Sequence, residues 1–313
     1  MEDNSQPLHL IERAIKRIGG DAKKGFVVPP PRAHATRPEE VATTLVTARS
    51  ETPEKDAAVR RVDDVNREIG LNFKELRRNG MITPDNMTSE LSNQFRSIKR
   101  KLLVSALEAK TRVAANNLVM ITSSVVGEGK TFASVNLAMS LAAERDLHVL
   151  LIDGDFVRRT VGSFFESTDG KGLTDLLNGT CQRPSDVLYR CKDIPRLSVM
   201  FAGSRDERTP ELVGSRRMTD LLADISTQYT DRIVIIDTLP ILAAVEPATF
   251  AMHVHQLIMV VAAGQTNRSQ LRKALETVAA CRNISLLFNK APKWYRTGNG
   301  YYYDAREGDT AGA

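Results

Sequence analysis

Residues 118–144 read LVMITSSVVGEGKTFASVNLAMSLAAE, and this stretch decides the fold. It opens with a short apolar run, as a buried strand does, and it closes with FASVNLAMSLAAE, a helix pattern. Between them lies SSVVGEGKT, Ser123 to Thr131. A strand, a glycine-bearing turn and a helix opening on Gly-Lys-Thr form the context that gives a phosphate-binding loop its meaning. Gly127 and Gly129 let backbone N–H groups close around phosphate oxygens with no Cβ in the way. The helix beginning near Lys130 directs its free N–H groups and its dipole at the anion. Lys130 is suited to neutralising the β- and γ-phosphates, and the Thr131 hydroxyl to ligating Mg²⁺. The usual pattern has a first glycine where Ser124 stands, and a small residue fits there. Ser124, Gly127, Glu128, Gly129, Lys130 and Thr131 are therefore the expected nucleotide-binding residues, with ATP and Mg²⁺ as ligands.

Outward from this loop the texture continues. Apolar runs recur at 118–122, 149–153, 197–202, 232–237, 257–261 and 285–289, separated by helical stretches. Continuous apolar runs suit strands covered on both faces, and alternation with helices predicts an α/β fold with a doubly wound, mostly parallel sheet of the P-loop NTPase type. Ligands of such sheets bind at the carboxyl ends of the strands. Two of those ends carry acids: VLLIDGD closes on Asp153 and Asp155, and RIVIIDT on Asp237 and Thr238. Oxygen ligands beside a phosphate loop suit a hard cation. Asp237 reads as the acid that holds Mg²⁺ directly or through water, with Thr131 and Asp153 completing the expected metal set. Of Asp153 and Asp155, one can serve the metal while the other accepts a proton from an incoming hydroxyl. Lys130, Asp153, Asp155 and Asp237 are the candidate catalytic residues. A strand-closing Asp also caps helices, but capping predicts no such pairing with a phosphate loop.

The N-terminal part has a different character. PLHLIERAIKRI (7–18) has a short apolar stripe at helical spacing ended by Gly19-Gly20, so residues 1–20 read as a short amphipathic helix. It suits either docking to a membrane surface or partner helix, or packing on its own domain. Residues 21–88 read as a linker and weakly structured segment, rich in Pro, Thr, Ala and charge early on, with helical character returning at 57–80. A partly disordered N-terminal arm is the expectation. A break at Pro84, Asp85 and Asn86 precedes a helix expected from about Ser89 to Ala109, and the P-loop nucleotide domain is expected over 89–293. No run reaches the ~18 apolar residues that cross a bilayer. Three cysteines without metal-ligand spacing read as ordinary buried thiols of a reducing compartment. The net charge of +5 is compatible with several anionic partners, while no zinc-finger spacing or aromatic–basic pattern points to nucleic acid, so none is expected. Four of the six tyrosines, Tyr295, Tyr301, Tyr302 and Tyr303, fall in the tail 294–313, where Gly298, Asn299 and Gly300 predict a flexible approach.

A phosphate loop, a second strand ending D-x-D with an arginine nearby (Arg158 or Arg159), and then D-T-x-P together resemble the bacterial tyrosine kinases, P-loop autokinases related to partitioning ATPases. Within that family the chain is most similar to the stand-alone autokinases encoded with exosortase-associated exopolysaccharide systems. The resemblance covers roughly 89–303. Partitioning ATPases carry an extra lysine where this chain has Val125, and the tyrosine kinases lack it. The resemblance implies that Tyr295, Tyr301, Tyr302 and Tyr303 are phosphoacceptors, modified in trans within a ring-like homo-oligomer. It implies that Asn289, ending the last strand, contacts adenine, although such an asparagine is also a common turn residue. Asn93, Arg96 and Lys99 partly match a Glu-x-x-Arg-x-x-Arg intersubunit motif, with the acid missing. Val126 and Leu239 stand where the family has prolines. The implied partners are a transmembrane polysaccharide chain-length-determining protein and a cognate tyrosine phosphatase. The implied location is the inner face of the cytoplasmic membrane, reached through that partner. The expected function is thus an ATP-dependent protein-tyrosine autokinase regulating exopolysaccharide biosynthesis or export. The alternatives are a partitioning or positioning ATPase that transfers phosphate to water, and a regulator that binds ATP without transfer.

Overall fold

The computed structural model describes residues 67–109, 117–145, 147–166, 170–228 and 232–292. Among the described residues the strands are β1 (Glu68–Ile69), β2 (Leu118–Ser123), β3 (His148–Gly154), β4 (Leu188–Cys191), β5 (Leu197–Met200), β6 (Arg232–Thr238), β7 (Gln256–Ala262) and β8 (Asn283–Asn289). They make one sheet in the order β1-β4-β5-β3-β6-β2-β7-β8. All six apolar runs read from the sequence are strands, and every neighbouring pair among them is parallel. Strand β4 is antiparallel to β5, and β1 joins β4 in parallel. Residues of β2, β6 and β7 are buried throughout, because helices cover both faces of a parallel sheet. Strand β8, at the edge, is only half-buried.

The strand order places the site. From β2 the chain passes to β3, beyond β6, and later returns to β7 on the opposite side of β2. The carboxyl end of β2 is therefore the switch point where crossovers diverge and a crevice opens. The helix following β2 here, Lys130–Ala142, has buried residues on all sides, including Ala133, Val135, Leu137, Ala138 and Leu141. Its many alanines and serines let it lie close over the sheet.

The domain begins earlier than the sequence reading placed it. Residues 67–88, assigned there to the linker segment 21–88, add β1 to the sheet and form helix α1 (Phe73–Arg78). Ile69, Leu71, Leu76, Met81 and Ile82 are buried in the same core as β2 and β3. The backbone at Ile82 is secured by Asn136, whose Oδ1 accepts from the Ile82 N–H at 2.7 Å while its Nδ2 donates to the Phe132 carbonyl at 2.8 Å. Short irregular segments with scattered apolar residues lack periodicity, so the sequence hid this contribution. The 1–20 helix, residues 21–66 and the tail 294–313 lie outside the described residues.

Helix α2 (Glu90–Ala109) matches the expected element. Lys99 on α2 is buried, and its Nζ donates to the Ser140 carbonyl at 3.0 Å and pairs with Glu144 at 2.5 Å. It ties α2 to its own domain. Of the partial intersubunit motif, Asn93 and Arg96 remain on the exposed side. The three cysteines are free and buried, as expected.

Candidate active site

The carboxyl ends of β3, β6 and β2 lie side by side, with Asp153 level with Asp237 and Asp237 level with Ile121. Two acids on adjacent parallel strands are thereby brought next to the loop that leaves β2. In that loop Gly127 and Gly129 have φ of 89° and 97°, a region that side chains with a Cβ avoid. At Gly129 a Cβ would also stand 2.1 Å from Asn289 Nδ2. The helix then opens at Lys130, with no side chain capping its first turn. Uncapped N–H groups at a helix start are the donors a phosphate needs.

Lys130 Nζ lies 2.6 Å from Asp155 Oδ2, and the acid is fully buried. The Thr131 hydroxyl donates to Asp237 Oδ2 at 2.8 Å. Its single proton being used there, the Thr160 hydroxyl 3.1 Å away is the donor between the two threonines. One helical turn on, Ser134 Oγ sits 2.9 Å from Asp237 Oδ1 and 3.0 Å from the Lys130 carbonyl. Asp153 Oδ1 accepts from the Asp155 N–H at 3.1 Å. Its Oδ2 is buried and has no partner among the described residues.

Burial raises the Asp153 carboxyl well above its ordinary range, and the neighbouring Asp237 charge raises it further. Burial likewise pushes Asp237 up to about 6, against the pull of Lys130 and the two hydroxyls. Three buried acids thus face one ammonium, and one carboxylate oxygen is unsatisfied. A hard dication relieves both conditions, so Asp153, Asp237 and the Thr131 hydroxyl fit Mg²⁺. Among the described residues no group of three His, Cys, Asp or Glu could hold an ion unaided. Magnesium characteristically binds one or two carboxylates and takes its remaining ligands from phosphate and water, so this sparse set suits it.

The rear of the loop is held by residues from the far side of the sheet. The Glu128 carboxylate is buried, accepts from the Val125 N–H at 2.9 Å and receives the Thr266 hydroxyl. Asn289 Nδ2 donates to the Glu128 carbonyl at 2.9 Å, and Lys290 Nζ to the Gly127 carbonyl at 2.8 Å. Apart from the Val125 N–H, none of these bonds takes up a backbone donor of the loop. On the other flank, the Ile241 and Leu242 N–H groups donate to the Ser123 and Ser124 carbonyls, clasping the loop to the segment after β6.

Of the sequence-predicted residues, Lys130, Thr131, Asp153, Asp155 and Asp237 meet in this crevice, Ser124, Gly127, Glu128 and Gly129 form its loop, and Asn289 braces that loop from behind through the Glu128 carbonyl. The Glu128 side chain is committed to the loop interior. Tyr295, Tyr301, Tyr302 and Tyr303 lie outside the described residues. Sequence reasoning missed Ser134, Thr160, Thr266 and Lys290. Ser134 had a signal, since it lies four residues after Lys130 on the same helix face. The other three come from loops whose approach depends on strand order.

No protein-family model matches the chain. It is 32% identical over 178 residues to the tyrosine-protein kinase CpsD of Streptococcus pneumoniae, covering 55% of this chain and 75% of that protein. It is 29% identical over 224 residues to the tyrosine-protein kinase YwqD of Bacillus subtilis, covering 71% of this chain and 89% of that one. The tyrosine-protein kinase ptk of Acinetobacter johnsonii is 32% identical over 162 residues, but the matched stretch is 21% of its length. Among solved structures, the VpsO kinase domain aligns with TM-score 0.51 at 30% identity, over 63% of this chain and 98% of that domain. The kinase domain of the Escherichia coli tyrosine kinase ETK aligns with TM-score 0.56 at 28% identity, over 66% and 78%.

Proposed function

The chain belongs to the bacterial tyrosine-protein kinases, and from that membership we propose that it uses Mg-ATP to phosphorylate its own C-terminal tyrosines in trans, regulating exopolysaccharide biosynthesis or export. Protein-tyrosine phosphorylation is the reaction class of the family. The single observation that carries the reading is the ion pair of Lys130 with the buried Asp155, beside a buried Asp153 oxygen that has no partner among the described residues. In this reading Lys130 meets the phosphates, Asp155 is the base and Asp153 a metal ligand.

In this reading the arrival of a triphosphate draws the Lys130 ammonium from Asp155 onto the β/γ-phosphate oxygens. That exchange frees Asp155 Oδ2 as a proton acceptor, while its other oxygen keeps the Arg158 N–H at 2.9 Å. A phenol with pKa near 10 is a weak nucleophile at neutral pH, so a carboxylate within reach of its proton is needed. The tyrosine oxygen forms a bond to the γ-phosphorus, the bond from that phosphorus to the ADP oxygen breaks, and the phenol proton passes to Asp155. Thr131, Asp153 and Asp237 would hold magnesium, which when bound screens the charge shared between β- and γ-phosphates. Ser134 and Thr160 position Asp237 and Thr131 for that task.

The acceptors are Tyr295, Tyr301, Tyr302 and Tyr303, supported by their crowding in a glycine-approached tail. A transmembrane chain-length-determining protein is the proposed activator and would bring the kinase to the inner face of the cytoplasmic membrane. A cognate phosphatase would reset it. Self-association into a ring would supply the trans geometry. Among the described residues no helix is long and apolar enough to cross a membrane.

Purified full-length protein incubated with Mg-ATP and mapped by mass spectrometry tests the assignment. Phosphotyrosine confined to the four tail positions, and absent when they are changed to phenylalanine, is the expected result. Phosphate released to water with no phosphotyrosine on the chain would overturn it.

A further inference from the structure

Two loops meet at the carboxyl ends of the neighbouring strands β3 and β5, beside the acids of the crevice. The first, 155–160, is anchored by Asp155, which accepts the Arg158 N–H. Arg159 in this loop has φ of 54°, a strained value for a non-glycine residue. All three nitrogens of its guanidinium are engaged: it donates to the Phe156 carbonyl at 2.9 Å, to the Gly203 carbonyl, and to the Ser204 carbonyl at 3.0 Å. Arg159 thus clasps the first loop to the second, 203–208.

The arginines flanking that clasp are not engaged. Arg158 and Arg205 are both exposed, and among the described residues neither side chain makes an ion pair or hydrogen bond. Their positions follow from the clasp, Arg158 preceding Arg159 and Arg205 following Ser204. Burial, and next the Arg205 charge close by, hold the Arg159 guanidinium below its ordinary pKa. Two of the acids around them are committed elsewhere. Asp206 is paired with Arg208, and Asp175 accepts from the Gly172 and Ser204 N–H groups. Glu207, two residues beyond Arg205, makes no ion pair among the described residues either. Two unpaired arginines against that one acid leave the rim net positive, which raises the local potential and favours an anionic visitor.

The chain carries such a visitor. After Tyr301, Tyr302 and Tyr303 come Asp304, Glu307 and Asp309, against the single cation Arg306. We propose that Arg158 and Arg205 form the acceptor-docking rim, receiving the carboxylates that follow the tyrosines in the tail of a second copy of this chain. The proposal rests on the tyrosine-kinase reading and adds the feature the site selects: an acid on the C-terminal side of the tyrosine. Arg158, three residues from Asp155, would hold the acid while the adjacent phenol points at the proton acceptor. Each phosphate added to the cluster increases the attraction, so later tyrosines are modified more readily than the first.

The test uses the full chain with Tyr295, Tyr301, Tyr302 and Tyr303 changed to phenylalanine, so that label appears only on added peptide. The probes are a synthetic peptide of residues 298–313 and the same peptide with Asp304→Asn, Glu307→Gln and Asp309→Asn. Arg158→Gln with Arg205→Gln is expected to raise KM for the acidic peptide about fivefold, an effect that weakens with salt, and to leave kcat and Mg-ATP affinity unchanged. The neutralised peptide is expected to be a poor substrate for the parent and no worse for the variant. Arg158→Lys with Arg205→Lys should keep most of the affinity, since the charge is what is read. Phosphotyrosine forming on both peptides with equal KM, or a matching loss of Mg-ATP affinity in the glutamine variant, would overturn the rim while leaving the kinase reading intact. No phosphotyrosine on any peptide, nor on the unmodified chain, would overturn both.

Discussion

Replacing Asp237 by asparagine is expected to stabilise the nucleotide-free protein while abolishing its response to Mg-ATP. The reasoning starts from burial. Asp237 is fully buried, and its carboxyl is pushed from the ordinary 3.8 to about 6. An acid with a raised folded-state pKa binds its proton more tightly in the folded chain than in the unfolded one. Stability is therefore unaffected below about pH 4, falls as pH rises through the interval to about 6, and stays reduced above it. The two limits differ by about 3 kcal/mol at 1.36 kcal/mol per unit. Asparagine removes that penalty, but it offers one acceptor oxygen where Thr131 and Ser134 now reach two. Losing one such bond costs about 1 kcal/mol. The net gain of about 2 kcal/mol corresponds to a rise of about 4–8 °C in Tm for a domain of this size. Thermal unfolding of parent and variant in EDTA at pH 7.5 and at pH 4 measures it. The variant should lead at pH 7.5 and lose its lead at pH 4, and only the parent should gain from Mg-ATP. A variant that melts below the parent at pH 7.5 would refute the reasoning, because the carboxylate would then be held ionised by contacts that favour its charge.

Lys130→Met leaves Asp155 buried without its counter-ion, so it should lower Tm as well as reduce phosphotyrosine by at least about 100-fold. Adding Asp155→Asn should restore the stability but not the phosphotyrosine, read by the same melting curve and by anti-phosphotyrosine blot. Gly129→Ala meets both a φ of 97° and the Asn289 side chain, so Mg-ATP affinity by calorimetry should fall and stability drop by about 1–3 kcal/mol. Asn289→Ala in the same chain should recover the steric part alone. Asn136→Ala strands the Ile82 N–H and should cost about 1–3 kcal/mol in urea unfolding, with faster hydrogen exchange at Ile82.

Much of the crevice could be read from the chain because its chemistry is local. The spacing of Gly127, Gly129, Lys130 and Thr131 specifies a loop and a helix start together, and the acids sit at the ends of apolar runs whose length identifies them as strands. Period and composition fail where the structure depends on distant partners. Strand β1 is two residues long and exists only because β4 is beside it. Strand β4 runs antiparallel to β5 from a stretch with little apolar continuity. Thr160, Thr266 and Lys290 reach the phosphate loop because the sheet order brings their loops there, and no local pattern encodes that order. Lys99 illustrates the converse. Its motif position suggested a subunit contact, while its stem lies buried against α2's neighbour and its ammonium is satisfied within the domain.

The proposed function requires Lys130, Thr131, Asp153 and Asp237 to converge on one bound Mg-nucleotide. Isothermal titration of the full-length protein with ATP, with and without magnesium, measures that convergence most directly. Binding should require the dication and vanish in Lys130→Met, with heat restored by no other divalent-free condition. Magnesium-independent binding that survives the lysine substitution, or no binding at all to the folded chain, would contradict it.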